Sequence, residues 1–98
     1  MVKHVVLFRF RDDVDAETRA AAASAFKSGI LALKAVIPTI CKIEVGFNIN
    51  VSEQWDICLY SEFDSLEDAL AYGRHPEHVK VASALKPLLA GRSCVDYE

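Results

Sequence analysis

The side chains of this 98-residue chain with chemistry beyond packing are three histidines, three cysteines and a tyrosine beside a His-Pro motif. His4 lies in the opening segment. His75 and His78 flank Pro76 in His75-Pro76-Glu77-His78, and Tyr72 precedes them. Histidine titrates near neutral pH, so a neutral imidazole can take a proton from carbon beside a carbonyl. A tyrosine hydroxyl can donate a hydrogen bond to the oxyanion that develops. Tyr72 and His78 are six positions apart, across a break marked by Pro76. Regular helical spacing would not bring them together, but a break can. The His-x-x-His spacing raises the question of a metal. With only three histidines, solvated acidic neighbours and a proline fixing the backbone, no closed ligand set forms, and no metal site is predicted. His75 reads most simply as the cap of the helix that Pro76 begins.

Cys41, Cys58 and Cys94 are odd in number and never in CxxC spacing, so neither a disulfide framework nor a zinc knuckle is predicted. They read as reduced, buried thiols acting as small hydrophobes. No helix N-terminus or clear charged partner marks a nucleophile among them.

The elements that must position these residues follow from periodicity. Residues 2–10, rich in β-branched and aromatic side chains, form a strand. His4, Val6, Phe8 and Phe10 share one face; Val5 and Leu7 take the other. An apolar wall beside a histidine suits a small organic ligand, so Val6 and Phe8 are candidate wall residues. Asp15 caps a helix running to about residue 36, stopped by Pro38. Its buried stripe is Ala22, Phe26, Ile30, Leu33 and Ile37, with Arg19, Lys27 and Lys34 toward water. Strands follow over 40–47 and 54–63. Ser65, with Asp68 three residues on, starts a helix over 66–73. Another helix starts at Pro76 with Val81, Leu85 and Leu88 on its apolar face, and a short strand over 94–97 ends the chain.

The order β-α-β-β-α-β is the ferredoxin-like split βαβ arrangement, an α+β sandwich with a four-stranded antiparallel sheet. Helices cover one sheet face. The other still carries Val5 and Leu7, and a second copy of the sheet is the simplest cover. One domain over residues 1–98 is expected.

Composition excludes several roles. Just over half the residues are hydrophobic, and the net charge is −3 with scattered basic residues. Nucleic acid lacks its electrostatic footprint, and no basic helix suits a membrane surface. No apolar run is long enough to cross a bilayer, and no secretion leader opens the chain, so the cytoplasm is expected.

Nearly the whole chain resembles the stress-responsive dimeric α/β-barrel (Dabb) family. The resemblance begins with Lys3-His4-Val5-Val6-Leu7-Phe8 and Glu44-Val45-Gly46, and continues through Trp55-Asp56-Ile57 and Phe63-Asp64-Ser65. Its most specific part is Tyr72 with His75-Pro76-Glu77-His78-Val79, closed by Val95-Asp96-Tyr97. It implies a homodimer whose sheets face each other as a dimeric α/β-barrel. Some members are stress proteins in stable oligomers; at least one is a polyketide cyclase. Carried over from cyclase-type members, His78 is the base, Tyr72 polarises the substrate and His4 assists. Phe26, Ile30, Leu59 and Val81 join the wall by the same carry-over. The expected role is a stable small-molecule-binding or stress-associated homodimer without a cofactor. The alternative is a small cyclase or lyase acting on a carbonyl-containing, polyketide-like substrate. The alanine run at 20–23 departs from a cyclase-like pocket, where larger aromatic walls would serve, and implies a different cavity or none. Asp96 and Tyr97 are read as serving the fold or the dimer edge.

Overall fold

The computed structural model describes all residues, 1–98. Strand β1 (Val2–Phe10) leads into helix α1 (Ala16–Ala32) and a 3-10 turn at Leu33–Ala35. Strands β2 (Lys42–Phe47) and β3 (Ile57–Phe63) follow. Helices α2 (Leu66–Arg74) and α3 (Pro76–Leu85), a 3-10 turn at Lys86–Leu88 and strand β4 (Leu89–Tyr97) complete the chain. The sheet order is β2-β3-β1-β4, and all three pairings are antiparallel. This is the ferredoxin-like α+β fold, with β1 at the centre of the sheet.

Local chemistry sets the helix starts. Asp15 adopts extended backbone geometry, and its carboxylate accepts from the Thr18 N–H at 2.7 Å. Ser65 does the same for the Asp68 N–H at 3.1 Å. Each satisfies a donor that the first helical turn leaves free. The α1 stripe runs through Ala23, Phe26, Ile30, Leu33 and Ile37, so Ala23 replaces Ala22 as its first buried member. The α-helix ends sooner than periodicity predicts. Pro38 disfavours helical geometry just before it, and the chain tightens into the 3-10 turn instead. Arg19 is half-buried rather than solvated; its guanidinium donates to the Val14 and Arg11 carbonyls.

A core of sixteen residues lies between the helices and the sheet face bearing Val6, Phe8, Leu59 and Phe63. Gly29 sits where α1 meets α3. A Cβ there would lie 3.0 Å from both methyls of Val81. Gly29→Ala gains up to about 1 kcal/mol of helix propensity, but overpacking costs about 1–3 kcal/mol. The expected net result is a lower Tm. Combining it with Val81→Ala should recover about 1 kcal/mol beyond additivity in a double-mutant cycle, since the two side chains then no longer compete for space.

The strand starts differ from the pattern. β2 begins at Lys42 and β3 at Ile57, while β4 begins at Leu89, five residues before the predicted 94. β4 pairs with β1 from Lys3↔Tyr97 to Phe10↔Leu89, with a register shift between Arg9 and Phe10. Its Gly91-Arg92-Ser93 stretch carries no strand signal. Backbone pairing to β1 forms the strand, and propensity at an edge yields to such context.

The sheet face away from the helices carries Val5 and Leu7. Register places Tyr60 and Val95 beside Val5, Cys58 and Ser93 beside Leu7, and Glu62 and Tyr97 beside Lys3. Val95 and Tyr97 are about half exposed. Tyr60 Oη donates to Glu62 at 2.6 Å, and this bond pushes the Tyr60 hydroxyl up to about 12. No protein layer of the protomer covers this face.

Candidate functional site

His75 ends α2 and starts α3. Its extended backbone (φ −61°, ψ 134°) breaks the helix, and its own N–H donates to the Tyr72 carbonyl. Its Nδ1 accepts from the Glu77 N–H at 3.1 Å. The histidine before Pro76 is therefore a cap, as its position predicts. The break redirects the chain so that residues six apart meet. The Tyr72 and His78 rings lie edge to face with centroids 4.5 Å apart. The His4 ring lies 6.1 Å from that of Tyr72. The three residues proposed from sequence thus come together, from the centre of the sheet and both sides of the helix break.

Each is held by something specific. Tyr72 is almost fully buried, its ring 5.1 Å from that of Phe63. His4 is paired with Asp96 across the β1–β4 ladder, Nδ1 to Oδ1 at 2.5 Å. A carboxylate only accepts, so Nδ1 carries the hydrogen of this bond. Burial is the main cause that lowers His78 below the usual imidazole value of 6.5. The Gly73 carbonyl opposes this, and the charges of His4, Arg92 and His75 add to it. The Gly73 contact is not a well-formed hydrogen bond to Nδ1, which has no partner. Burial also pushes the Tyr72 hydroxyl up. At neutral pH the site therefore presents a neutral imidazole beside a protonated phenol. Tyr72 Oη and His78 Nδ1 are both buried without a hydrogen-bond partner. Orphaned buried polar atoms are uncommon in proteins, and two neighbouring rings each carry one here.

The lowered His78 value makes stability depend on pH. Above 6.5 the ring is neutral in both folded and unfolded chains, and its contribution to stability is complete. As pH falls through 6.5, the unfolded chain takes the proton first, and stability drops until the folded ring also titrates. Urea midpoints measured from about pH 7.5 down to about pH 5 should decline, and His78→Gln should flatten part of that slope.

The candidate wall residues divide. Val6, Phe8, Phe26, Ile30 and Leu59 belong to the packed core; Val81 is half-buried and packs against it. Two surface cavities lie elsewhere. One of about 350 Å³ is bounded by Leu7, Phe47, Trp55 and Cys58. The other, about 270 Å³, opens beside Ala20 and Ala23 with Arg19 and Asp56 at its rim. The alanine segment therefore borders a different cavity, away from the histidines.

The cysteine expectation needs correction. Cys41 and Cys94 are exposed in the protomer and only Cys58 is half-buried, because Cys94 lies on an edge strand and Cys41 just before one. All three thiols are raised, by partial loss of hydration from neighbouring atoms and by nearby carboxylates, so none is an activated nucleophile at rest. Sequence reasoning also missed Asp96 as the partner of His4. Strand parity is the signal that would find it, once β1 and β4 are known to pair.

Fold and site together define a ferredoxin-like α+β protein in which a buried tyrosine meets a histidine across a helix break. The chain belongs to the stress responsive A/B barrel domain family, whose model matches residues 2–98. A dimeric ferredoxin-like protein of unknown function from Bacteroides fragilis is 52% identical, with a TM-score of 0.97 over 99% of this chain and 94% of that one. A second dimeric ferredoxin-like protein of unknown function, from Thermobifida fusca, is 25% identical, with a TM-score of 0.79 over 98% and 88%. An Arabidopsis thaliana protein is 26% identical, with a TM-score of 0.74 over 100% and 94%. No curated protein matches the chain significantly. No helix is long and apolar enough to cross a membrane.

Proposed function

We propose that the chain is a single-domain protein that forms a homodimer through the open sheet face and binds a small, apolar, carbonyl-containing ligand at Tyr72, His78 and His4. The observation that carries this reading is the pair of orphaned atoms, Tyr72 Oη and His78 Nδ1. A carbonyl or carboxyl oxygen would accept from Tyr72, while His78 would complete its own bonding through the same ligand. The dimer is supported by the uncovered apolar residues Val5, Leu7 and Val95 and by the dimeric state described for two relatives.

A second reading is turnover by a cyclase or lyase. His78 would take a proton from carbon next to the carbonyl, Tyr72 would donate to the enolate oxygen, and His4 would assist. The lowered His78 value favours it, since a base must be neutral to accept a proton.

The test is an NMR titration of the three imidazole rings with small aromatic and polyketide-like acids. Binding at this site shifts the His4 and His78 rings saturably and leaves the His75 cap unchanged. Rings that stay silent across a broad library would sink the ligand reading. Product formation abolished by His78→Ala in a folded dimer would favour the enzyme.

A further inference from the structure

On the helix-facing side of the β1–β4 ladder, His4, Cys94 and Asp96 bring three different donor atoms together. Their ligating atoms all lie within 4.8 Å of one another. The ladder is the cause. Asp96 is directly opposite His4, and Cys94, two residues before it on β4, faces the same side as its partner Val6. Sulfur lies 3.7 Å from His4 Nδ1 and 3.9 Å from Asp96 Oδ2. The His4–Asp96 hydrogen bond accounts for one contact of this cluster but does not explain a thiol within reach of both members.

We propose that His4, Cys94 and Asp96 form a three-donor site for a borderline divalent transition-metal ion, zinc being the natural candidate. The donor set decides the class. Thiolate and imidazole select zinc-like ions, and hard magnesium or calcium would require oxygen ligands. The geometry fits with one adjustment. Around a tetrahedral ion with ordinary zinc bond lengths, donor pairs stand about 3.4–3.6 Å apart. Both sulfur separations are close to that edge. The 2.5 Å nitrogen–oxygen pair must open by about 1 Å, a change that side-chain torsions of the partly exposed Asp96 can absorb. Three protein ligands leave a fourth position for water, as in reactive rather than structural zinc sites.

The proton balance is simple. Coordination through Nδ1 moves the His4 hydrogen to Nε2, and the Cys94 thiol releases its proton to solvent. No electron is transferred. The ion takes the place of the hydrogen now shared with Asp96.

Cobalt(II) is the probe. Added to the reduced, full-length protein, it should bind once per protomer. It should give a sulfur-to-cobalt charge-transfer band together with the visible bands of a tetrahedral site, and zinc should bleach both. Cys94→Ser should abolish the charge-transfer band, while Cys41→Ser keeps it. Absence of that band in the parent protein, or its survival in folded Cys94→Ser, overturns the proposal. If Cys94→Ser does not fold, zinc added to the parent protein decides by NMR. The His4 ring must shift at lower zinc than the His75 ring, and the reverse order overturns the site. The organic-ligand titration uses metal-free protein, so either proposal can fail without the other.

Discussion

A Leu7→Glu variant is expected to sediment as a monomer at concentrations where the parent chain is a dimer. Leu7 lies on central strand β1, with Cys58 on one neighbouring strand and Ser93 on the other. Neither neighbour offers a carboxylate a charged partner, and Arg9, two residues along the same face, is already beside Asp12. In an isologous sheet-to-sheet dimer the substitution enters twice, so the interface acquires two unpaired carboxylates. Leaving a buried charge unpaired costs about 3–5 kcal/mol, a loss of more than a hundredfold in association. The helix-facing core does not include Leu7, so the protomer's own packing is spared. Lys34→Glu, on the outer side of the first helical region, is the control and should leave the dimer intact. Sedimentation velocity and multi-angle scattering both read this result. A Leu7→Glu protein that remains a parent-like dimer places the interface on another surface.

The second large effect concerns Tyr72, and it takes opposite signs in two measurements. The Tyr72 hydroxyl is buried without a partner, and such a group costs about 1–3 kcal/mol. Tyr72→Phe removes the hydroxyl and keeps the ring against Phe63 and His78. The free protein is therefore expected to gain about 1 kcal/mol or more, which for a domain of this size raises Tm by about 4–8 °C per kcal/mol. Ligand binding is expected to weaken by about tenfold or more, because the ligand oxygen loses its donor. A site that trades stability for function behaves in this way. Were Tyr72→Phe to destabilise the free protein by more than about 1 kcal/mol, the hydroxyl would have a partner within the protein, and the case for a waiting ligand would fall.

Features governed by neighbours in sequence are legible from the residues alone. The β1 alternation, the caps Asp15, Ser65 and His75, and the α1 stripe each depend on residues within a turn or two. The helix break at Pro76 is legible for the same reason, and it carries the meeting of Tyr72 with His78. What is not legible depends on distant backbone. β4 lacks an apolar pattern over Gly91-Arg92-Ser93 and exists because β1 offers it an edge. Asp96 and Cys94 join His4 across about ninety residues of chain, and only the register of that ladder brings them together. Parity on β1 correctly puts Val6 and Phe8 on the helix side, but parity does not distinguish packed core from the wall of an open cavity.

The proposed pairing of a ligand oxygen with Tyr72 and His78 is open to direct test. Its most direct test is a high-resolution crystal structure of the protein with the tightest small acid from the NMR library. A ligand oxygen is expected within hydrogen-bond distance of Tyr72 Oη, with the ligand also engaging His78 Nδ1 and His4 still held by Asp96. A ligand found only in the cavity beside Phe47 and Trp55, with the Tyr72–His78 pair closed and unchanged, would contradict it.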